Sequence, residues 1–386
     1  METNAPTKFV FLGDYCATGT SVPVLQPEIQ KVLSTANVIC INFEAPIIAP
    51  GQRPSPKAGP AIGQPVAAIE ICKQWGVTHF ALANNHIMDY GADGLRSTLD
   101  HMGEASYFGA GLSFDRAFQP CITELGGKRI ALLAFAEAQF GVLKDESDEA
   151  QAGYAWVDHP KARQSIRDAR AISDHVIVQV HAGLEMIGLP LPEWRLRYRE
   201  LIDSGADLVI GHHPHVIQGS ECYKGKMIYY SLGNFYMDVM LRQADSGSGG
   251  VLIVTLGDGG LESEFIPIRV SLSEVELDAT GTGMAEYQRL CEKLADESKY
   301  YAEIQGVCNE FWKQVYSGYY ESALFGLGTR PSYKSVYWLL RRLVGRLLRG
   351  QVDYRANELM LVHNIGIETH RWVVERALRK TSGGIL

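Results

Sequence analysis

Six short apolar runs in this chain each end on a polar residue able to bind a metal ion or an oxyanion. FVFLG runs into Asp14, VICINF into Glu44, and HFALA into Asn84, Asn85 and His86. VIVQV runs into His181, LVIG into His212-His213-Pro214-His215, and MIYYSLG into Asn234. Runs such as VIVQV and DLVIG suit strands buried on both faces. In an α/β sheet, ligands collect at the carboxyl ends of the strands. Parallel pairing would therefore gather all six ends at one edge.

The rest of the pattern agrees with an α/β fold. Candidate strands are Phe9–Leu12, Val38–Ile41, His79–Ala83, Ile130–Phe135, His175–Val180, Leu208–Ile210, Met227–Tyr230 and Val251–Leu256. Helical patterns lie between several of them, at Val66–Trp75, Gly94–Met102, Lys161–Ser173 and Glu193–Ser204. Strands alternating with helices are the signature of this class. Gly126-Gly127 between two apolar runs predicts a hairpin, and Ala49–Gly63, rich in Gly and Pro, predicts a long loop. After residue 283 the pattern turns helical, with segments at Met284–Tyr301, Val307–Tyr320, Tyr333–Arg349 and Glu358–Arg379. The expected division is a domain over 1–283 and a helical C-terminal region over 284–386.

Composition narrows the classes. With 386 residues and 46% hydrophobic content the chain can bury a large core, and a net charge of -8 argues against a nucleic-acid partner. The seven cysteines are scattered without a C-x-x-C pair, which fits reduced thiols in a cytoplasmic compartment. The N-terminal segment reads as a first strand, not a signal peptide, and no apolar run is long enough for a transmembrane helix. Tyr333–Arg349 sets Arg341, Arg342, Arg346 and Arg349 among leucines. Such a helix either docks on the catalytic domain or makes a peripheral contact with an anionic membrane.

The residue types at the strand ends suit a dinuclear metal centre. Carboxylates, imidazoles and an amide oxygen form a mixed O/N set that accepts Mn, Fe or Zn. One carboxylate can bridge two ions about 3.5–4 Å apart. Of eleven histidines, five (His86, His181, His212, His213 and His215) fall in these loops. Three of these sit within the four residues His212–His215. Asp89, three residues after His86, is placed to orient that imidazole or to cap the following helix. Glu185, four residues after His181, is placed to support a ligand imidazole or to face substrate. Asn234 is placed to reach the metal edge or to hold its turn.

The strings FLGD, NFEAPI, LANNHIMDYG, HAGLE, GADLVIGHHPHVIQG and YSLGNF resemble the signature set of the CapA (poly-γ-glutamate capsule biosynthesis protein) family. That family belongs to the calcineurin-like metallophosphatase superfamily. The resemblance covers roughly residues 8–270 and implies a four-layer β-sandwich flanked by helices, with two divalent metal ions at one edge. It implies Asp14 as ligand of the first ion and Glu44 as the bridge. Asn85 and His181 become ligands of the second ion, His213 and His215 supply one imidazole each, and His86 protonates the leaving group. Three positions depart from the superfamily pattern. Cys16 stands where Asp-x-His has its histidine, Glu44 replaces an aspartate, and His212 is an extra histidine that competes with His213 as ligand. The resemblance thus implies one strong metal site and one weak one.

Three functions follow. The first is a metal-dependent, phosphoesterase-like hydrolase, with His86, Asp89 and Glu185 as its catalytic group, linked to capsule, poly-γ-glutamate or other extracellular polymer production. The second is a non-catalytic metal-binding accessory protein of a polymer synthesis or export complex. The third is a metal-dependent γ-glutamyl amide hydrolase. The expected partner is an anionic polymer or a phosphoester.

Overall fold

The computed structural model describes residues 7–19, 22–145, 151–244, 246–257, 259–320 and 355–381. The basic segment 333–349 lies outside the described residues. Two compact units divide the chain. The first holds Met1–Ser55 and Ala61–Glu297, and the second holds Pro56–Pro60 and Ser298–Leu386.

The first unit is an α/β sandwich. One sheet runs in the order Val24–Leu25, Glu274–Leu277, Gly260–Val270, Gly247–Gly257, Thr7–Cys16, Val38–Phe43, His79–Ala81, Ser106–Phe108, with Asn234–Met237 also pairing on Thr7–Cys16. The other runs Ser220–Tyr223, Lys226–Tyr229, Leu208–His212, His175–His181, Lys128–Ala136, Cys121–Leu125. Phe11, Ile41 and Phe80 of the first sheet share one buried core with Leu132, Ile177 and Ile210 of the second. Helices cover the outer faces. Pro160–Ile172 packs on Lys128–Ala136 and His175–His181, and Pro192–Asp203 on Leu208–His212 and Lys226–Tyr229.

Local sequence explains these elements. Every residue of Val38–Phe43 is buried, as a parallel strand covered on both sides requires. Helix Pro160–Ile172 starts on a proline and has His159 as its cap, the imidazole accepting from Lys161 N at 3.1 Å. Its buried positions Ala162, Ile166 and Ala169 recur at helical spacing. The predicted hairpin forms between Cys121–Leu125 and Lys128–Ala136, with Gly126 and Gly127 both at positive φ. Helix Pro192–Asp203 is tied to its sheet through Glu221. That carboxylate accepts from Arg195 Nε at 3.0 Å and Nη2 at 2.6 Å, Arg199 Nε at 2.6 Å and Nη2 at 2.8 Å, and Tyr230 OH at 2.7 Å.

Two expectations are corrected. The strand ends do not line one sheet; they come from two facing sheets that meet at the same end. MIYYSLG is also not one strand ending at Asn234. The chain leaves Lys226–Tyr229 in the second sheet and opens a new strand, Asn234–Met237, in the first. The crossing is tight. Asp14 N donates to Gly233 O at 3.0 Å, and a Cβ on Gly13 would lie 2.1 Å from that oxygen. Only glycine fits there.

The C-terminal helices divide between the units. Thr282–Ala295 packs on strands Ser220–Tyr223 and Gly260–Val270 of the first. Glu297–Phe311 begins after a break at Asp296, within what the sequence predicts as one helix, and the boundary of the units falls there. The second unit also contains Arg355–Gly366 and Glu368–Thr381. Among the described residues no helix is long and apolar enough to cross a membrane.

Candidate metal centre

Asp14 lies inside its strand, not after it. The register with Val38–Phe43 shifts between Leu12 and Asp14, and the register with Asn234–Met237 shifts between Asp14 and Tyr15. Such irregularities re-aim a side chain. The Asp14 carboxylate is fully buried and held from several sides. It accepts from Asn42 Nδ2 at 2.8 Å and from His213 N at 3.0 Å, and lies 3.2 Å from His212 Nδ1 and 3.5 Å from His215 Nδ1. Burial works to raise its pKa, but His212 and His215 outweigh it and hold the group well below the usual range.

Glu44 follows directly on Val38–Phe43, its backbone N–H donating to Tyr15 O at 2.9 Å. Its side chain is fully buried, and among the described residues neither carboxylate oxygen has a hydrogen-bond partner. Oε1 lies 3.5 Å from His181 Nε2 and 3.7 Å from His215 Nε2. Burial pushes its pKa well up, although His215 pulls against it. A buried carboxylate with no donor is costly unless a cation balances it.

His181 closes the strand His175–His181. Its Nε2 faces Asn85 Oδ1 at 3.0 Å and His213 Nδ1 at 3.0 Å. Burial, reinforced by neighbouring imidazoles, holds His181 well below its ordinary pKa, and His213 falls to about 4. Both rings are therefore neutral at neutral pH, the form that binds metal. His215 differs. Burial pulls it down, but Glu44 and Asp14 carry it up to about 10. Its Nδ1 faces Asn234 Oδ1 at 2.9 Å, so Asn234 reaches the site through this imidazole. Donor atoms of Asp14, Glu44 and His181 converge in one potential metal group, and those of Glu44, His213 and His215 in another. Glu44 is common to both, as a bridging carboxylate would be. The orphaned Glu44 and the mixed O/N donors fit a divalent cation pair of the Mn, Fe or Zn type.

Neighbouring residues take distinct parts. Asn84 holds its turn, accepting from His86 N at 3.2 Å and Ile87 N at 2.8 Å and donating to Phe43 O at 2.9 Å. Asp89 Oδ2 lies 2.7 Å from His86 Nδ1 and accepts from Ile62 N at 2.7 Å. It does not cap the following helix, whose N-cap is Tyr90. His212 turns to Gln179 Oε1 at 3.0 Å and to Asp14, leaving His213 to face His181. Cys16 sits in a small buried apolar group with Ala45 and Met237. Burial first, then Glu44 and Asp238, raise its thiol well above the ordinary range, so it stays protonated. Glu185 stands at the exposed rim, its side chain 58% accessible and 4.0 Å from His213 Nε2.

Sequence reasoning missed three participants. Asn42 lies inside a strand, with its Nδ2 between Asp14 Oδ1 and His181 Nδ1 at 2.8 and 3.1 Å. Gln179 sits under His212. Glu137 is buried with its Oε1 3.4 Å from His213 Nε2. Only Glu137 had a readable signal, because it follows directly on the apolar run of Lys128–Ala136. The backbone here is strained: Ala45, Met186, His213 and His215 have φ of 139°, 62°, 94° and 59°.

Comparison with known proteins places this geometry in context. The model of the family described as "Bacterial capsule synthesis protein PGA_cap" matches residues 17–239. The "Capsule biosynthesis protein CapA" of Bacillus anthracis is 32% identical over 218 residues, which cover 54% of this chain and 53% of that protein. The "PGA biosynthesis protein CapA" of Bacillus subtilis is 30% identical over 216 residues, covering 54% and 56%. The chain thus spans about half the length of these two relatives. Among solved structures, a 5'-nucleotidase from Candida albicans aligns with a TM-score of 0.41 at 9% identity, over 77% of this chain and 58% of that one.

Proposed function

This chain belongs to the bacterial capsule synthesis protein PGA_cap family, and from that premise we propose a divalent-metal-dependent hydrolase of the phosphoesterase type, acting in capsule or poly-γ-glutamate production. Glu44 carries the reading. It is a buried carboxylate with no hydrogen bond to either oxygen among the described residues, shared by two convergent donor groups. When bound, a pair of divalent ions supplies Lewis-acid polarisation of the scissile group and charge neutralisation. Asp14, Glu44 and His181, with Asn85 beside His181, would hold one ion, and Glu44, His213 and His215 the other.

The protein's own groups do the rest. His86 belongs to neither donor group, yet it lies close enough to His213 to perturb it electrostatically. Asp89 fixes His86 through Nδ1, which leaves Nε2 to hold a proton for the leaving-group oxygen. Glu185 at the rim faces incoming substrate. An open groove of about 570 Å³, lined in part by Met186, Val216, Arg269 and Glu286, begins one residue beyond Glu185 and one beyond His215.

The test starts with metal analysis of the full chain after loading with Mn(II). Turnover of aryl phosphodiester, aryl phosphomonoester and γ-glutamyl anilide substrates follows. His86→Ala is expected to lose roughly 10²–10⁴-fold in rate with metal content unchanged. A protein that retains no metal overturns the reading. Metal retained without turnover of any substrate points instead to a non-catalytic accessory protein, which the neutral Cys16 thiol beside Glu44 favours. Turnover of the anilide alone makes the chain an amide hydrolase.

A further inference from the structure

The second sheet carries one more strand end than the six that define the site. Lys128–Ala136 pairs in parallel with His175–His181, and Ala136 is the register partner of His181. The next residue is Glu137, 1% exposed. Its backbone N–H donates to His181 O at 3.1 Å, and its carbonyl accepts from Tyr154 OH at 3.0 Å. The same hydroxyl accepts from Gln139 N at 2.9 Å, and Gln139 Nε2 donates to Glu137 Oε1 at 3.0 Å. Main chain and side chain are thus both fixed, on the element that also carries His181.

The carboxylate so held points at His213. Oε1 is 3.4 Å from Nε2, just beyond ideal hydrogen-bond length. The other ring nitrogen, Nδ1, faces His181 Nε2 at 3.0 Å. Imidazoles that bind metal through one nitrogen commonly donate the other N–H to a carboxylate, which fixes the tautomer and raises ligand basicity. We propose that Glu137 is the positioning carboxylate of His213, accepting from Nε2–H and presenting Nδ1 to the metal centre. The assignment rests on the metal-centre reading above. It also separates two glutamates near one nitrogen. Glu137 is buried, anchored and nearer; Glu185 is 58% exposed and 4.0 Å away.

The test measures metal affinity in the full chain, by titration with Mn(II) and by the visible absorption of the Co(II)-loaded protein. Wild type is measured first; a protein that binds no ion fails the metal reading, and this assignment with it, before any substitution is made. Given binding, Glu137→Ala is expected to weaken one of two sites by roughly 10–100-fold and to change the Co(II) spectrum. The near-isosteric Glu137→Gln keeps an acceptor and guards against misfolding; it is expected to lie between Glu137→Ala and wild type. Glu185→Gln is expected to leave affinity and spectrum as in wild type. Wild-type affinity and spectrum in folded Glu137→Ala, or in Glu137→Gln where the alanine variant fails to fold, overturn the proposal. So does a loss that follows Glu185→Gln instead.

Discussion

Glu221 and Glu44 are both largely withdrawn from water, and the fold treats them in opposite ways. Glu221 receives five hydrogen bonds from Arg195, Arg199 and Tyr230. Burial works to raise its pKa, but Arg199, Arg195 and Tyr230 bring it down to about 2. Among the described residues Glu44 has no arginine, lysine or hydrogen-bond donor, only His181 and His215 at 3.5 and 3.7 Å, and burial pushes its pKa up. The first carboxylate has its counter-charge within the chain and serves to pin a helix. The second meets only imidazoles and has room for a counter-charge from outside, which is what a binding site is in electrostatic terms.

The largest expected effect concerns Glu44. In wild type, Mn(II) at a hundred times its dissociation constant should stabilise the fold by about 2.7 kcal/mol. Glu44→Gln should abolish that gain while changing the metal-free melt little, because a near-isosteric neutral amide replaces a carboxyl whose charged form burial already disfavours. Thermal melts with and without Mn(II) check this, and an undiminished metal shift in Glu44→Gln breaks the comparison. At the other carboxylate the sign reverses. Glu221→Gln should cost about 2 kcal/mol of stability with or without metal, the scale of charge-assisted hydrogen bonds discounted for partial exposure. Urea unfolding measures it, and a neutral result would make Glu221 as dispensable as a surface pair.

The smallest effect is a pH dependence that sharpens the contrast. Glu221 titrates near 2 when folded, against an ordinary value of 4.5. The folded pKa is the lower, so its contribution is complete above about 4.5 and is lost as pH falls toward about 2. The stability gap between wild type and Glu221→Gln should therefore narrow across that window and stay constant above it. Melting temperatures of both proteins at several pH values test it. A gap that narrows only on the alkaline side contradicts the ion-pair account.

The strand-end residues were legible because buried parallel strands are continuous apolar runs, so their ends are easy to find. The pairing of those strands was not. The apolar runs do not say that Val38–Phe43 and His175–His181 belong to different sheets, or that the chain changes sheet between Tyr230 and Asn234. The register shifts around Asp14 depend on two neighbours far away in sequence. Glu137 was legible in principle, as one more polar residue after an apolar run, yet a lone glutamate carries far less signal than three histidines within four positions. Asn42 carried none, because inside VICINF it reads as an interruption of a core strand.

The backbone of the His213-Pro214-His215 loop has a consequence for anyone who evolves this protein in the laboratory. Both histidines sit at positive φ, a conformation that costs of order 1–3 kcal/mol per residue outside glycine. Glycine at either position would relax the chain while deleting a ligand. A screen that rewards heat resistance alone will therefore drift toward proteins that melt later and bind nothing. Ion retention has to be scored beside melting temperature in every round.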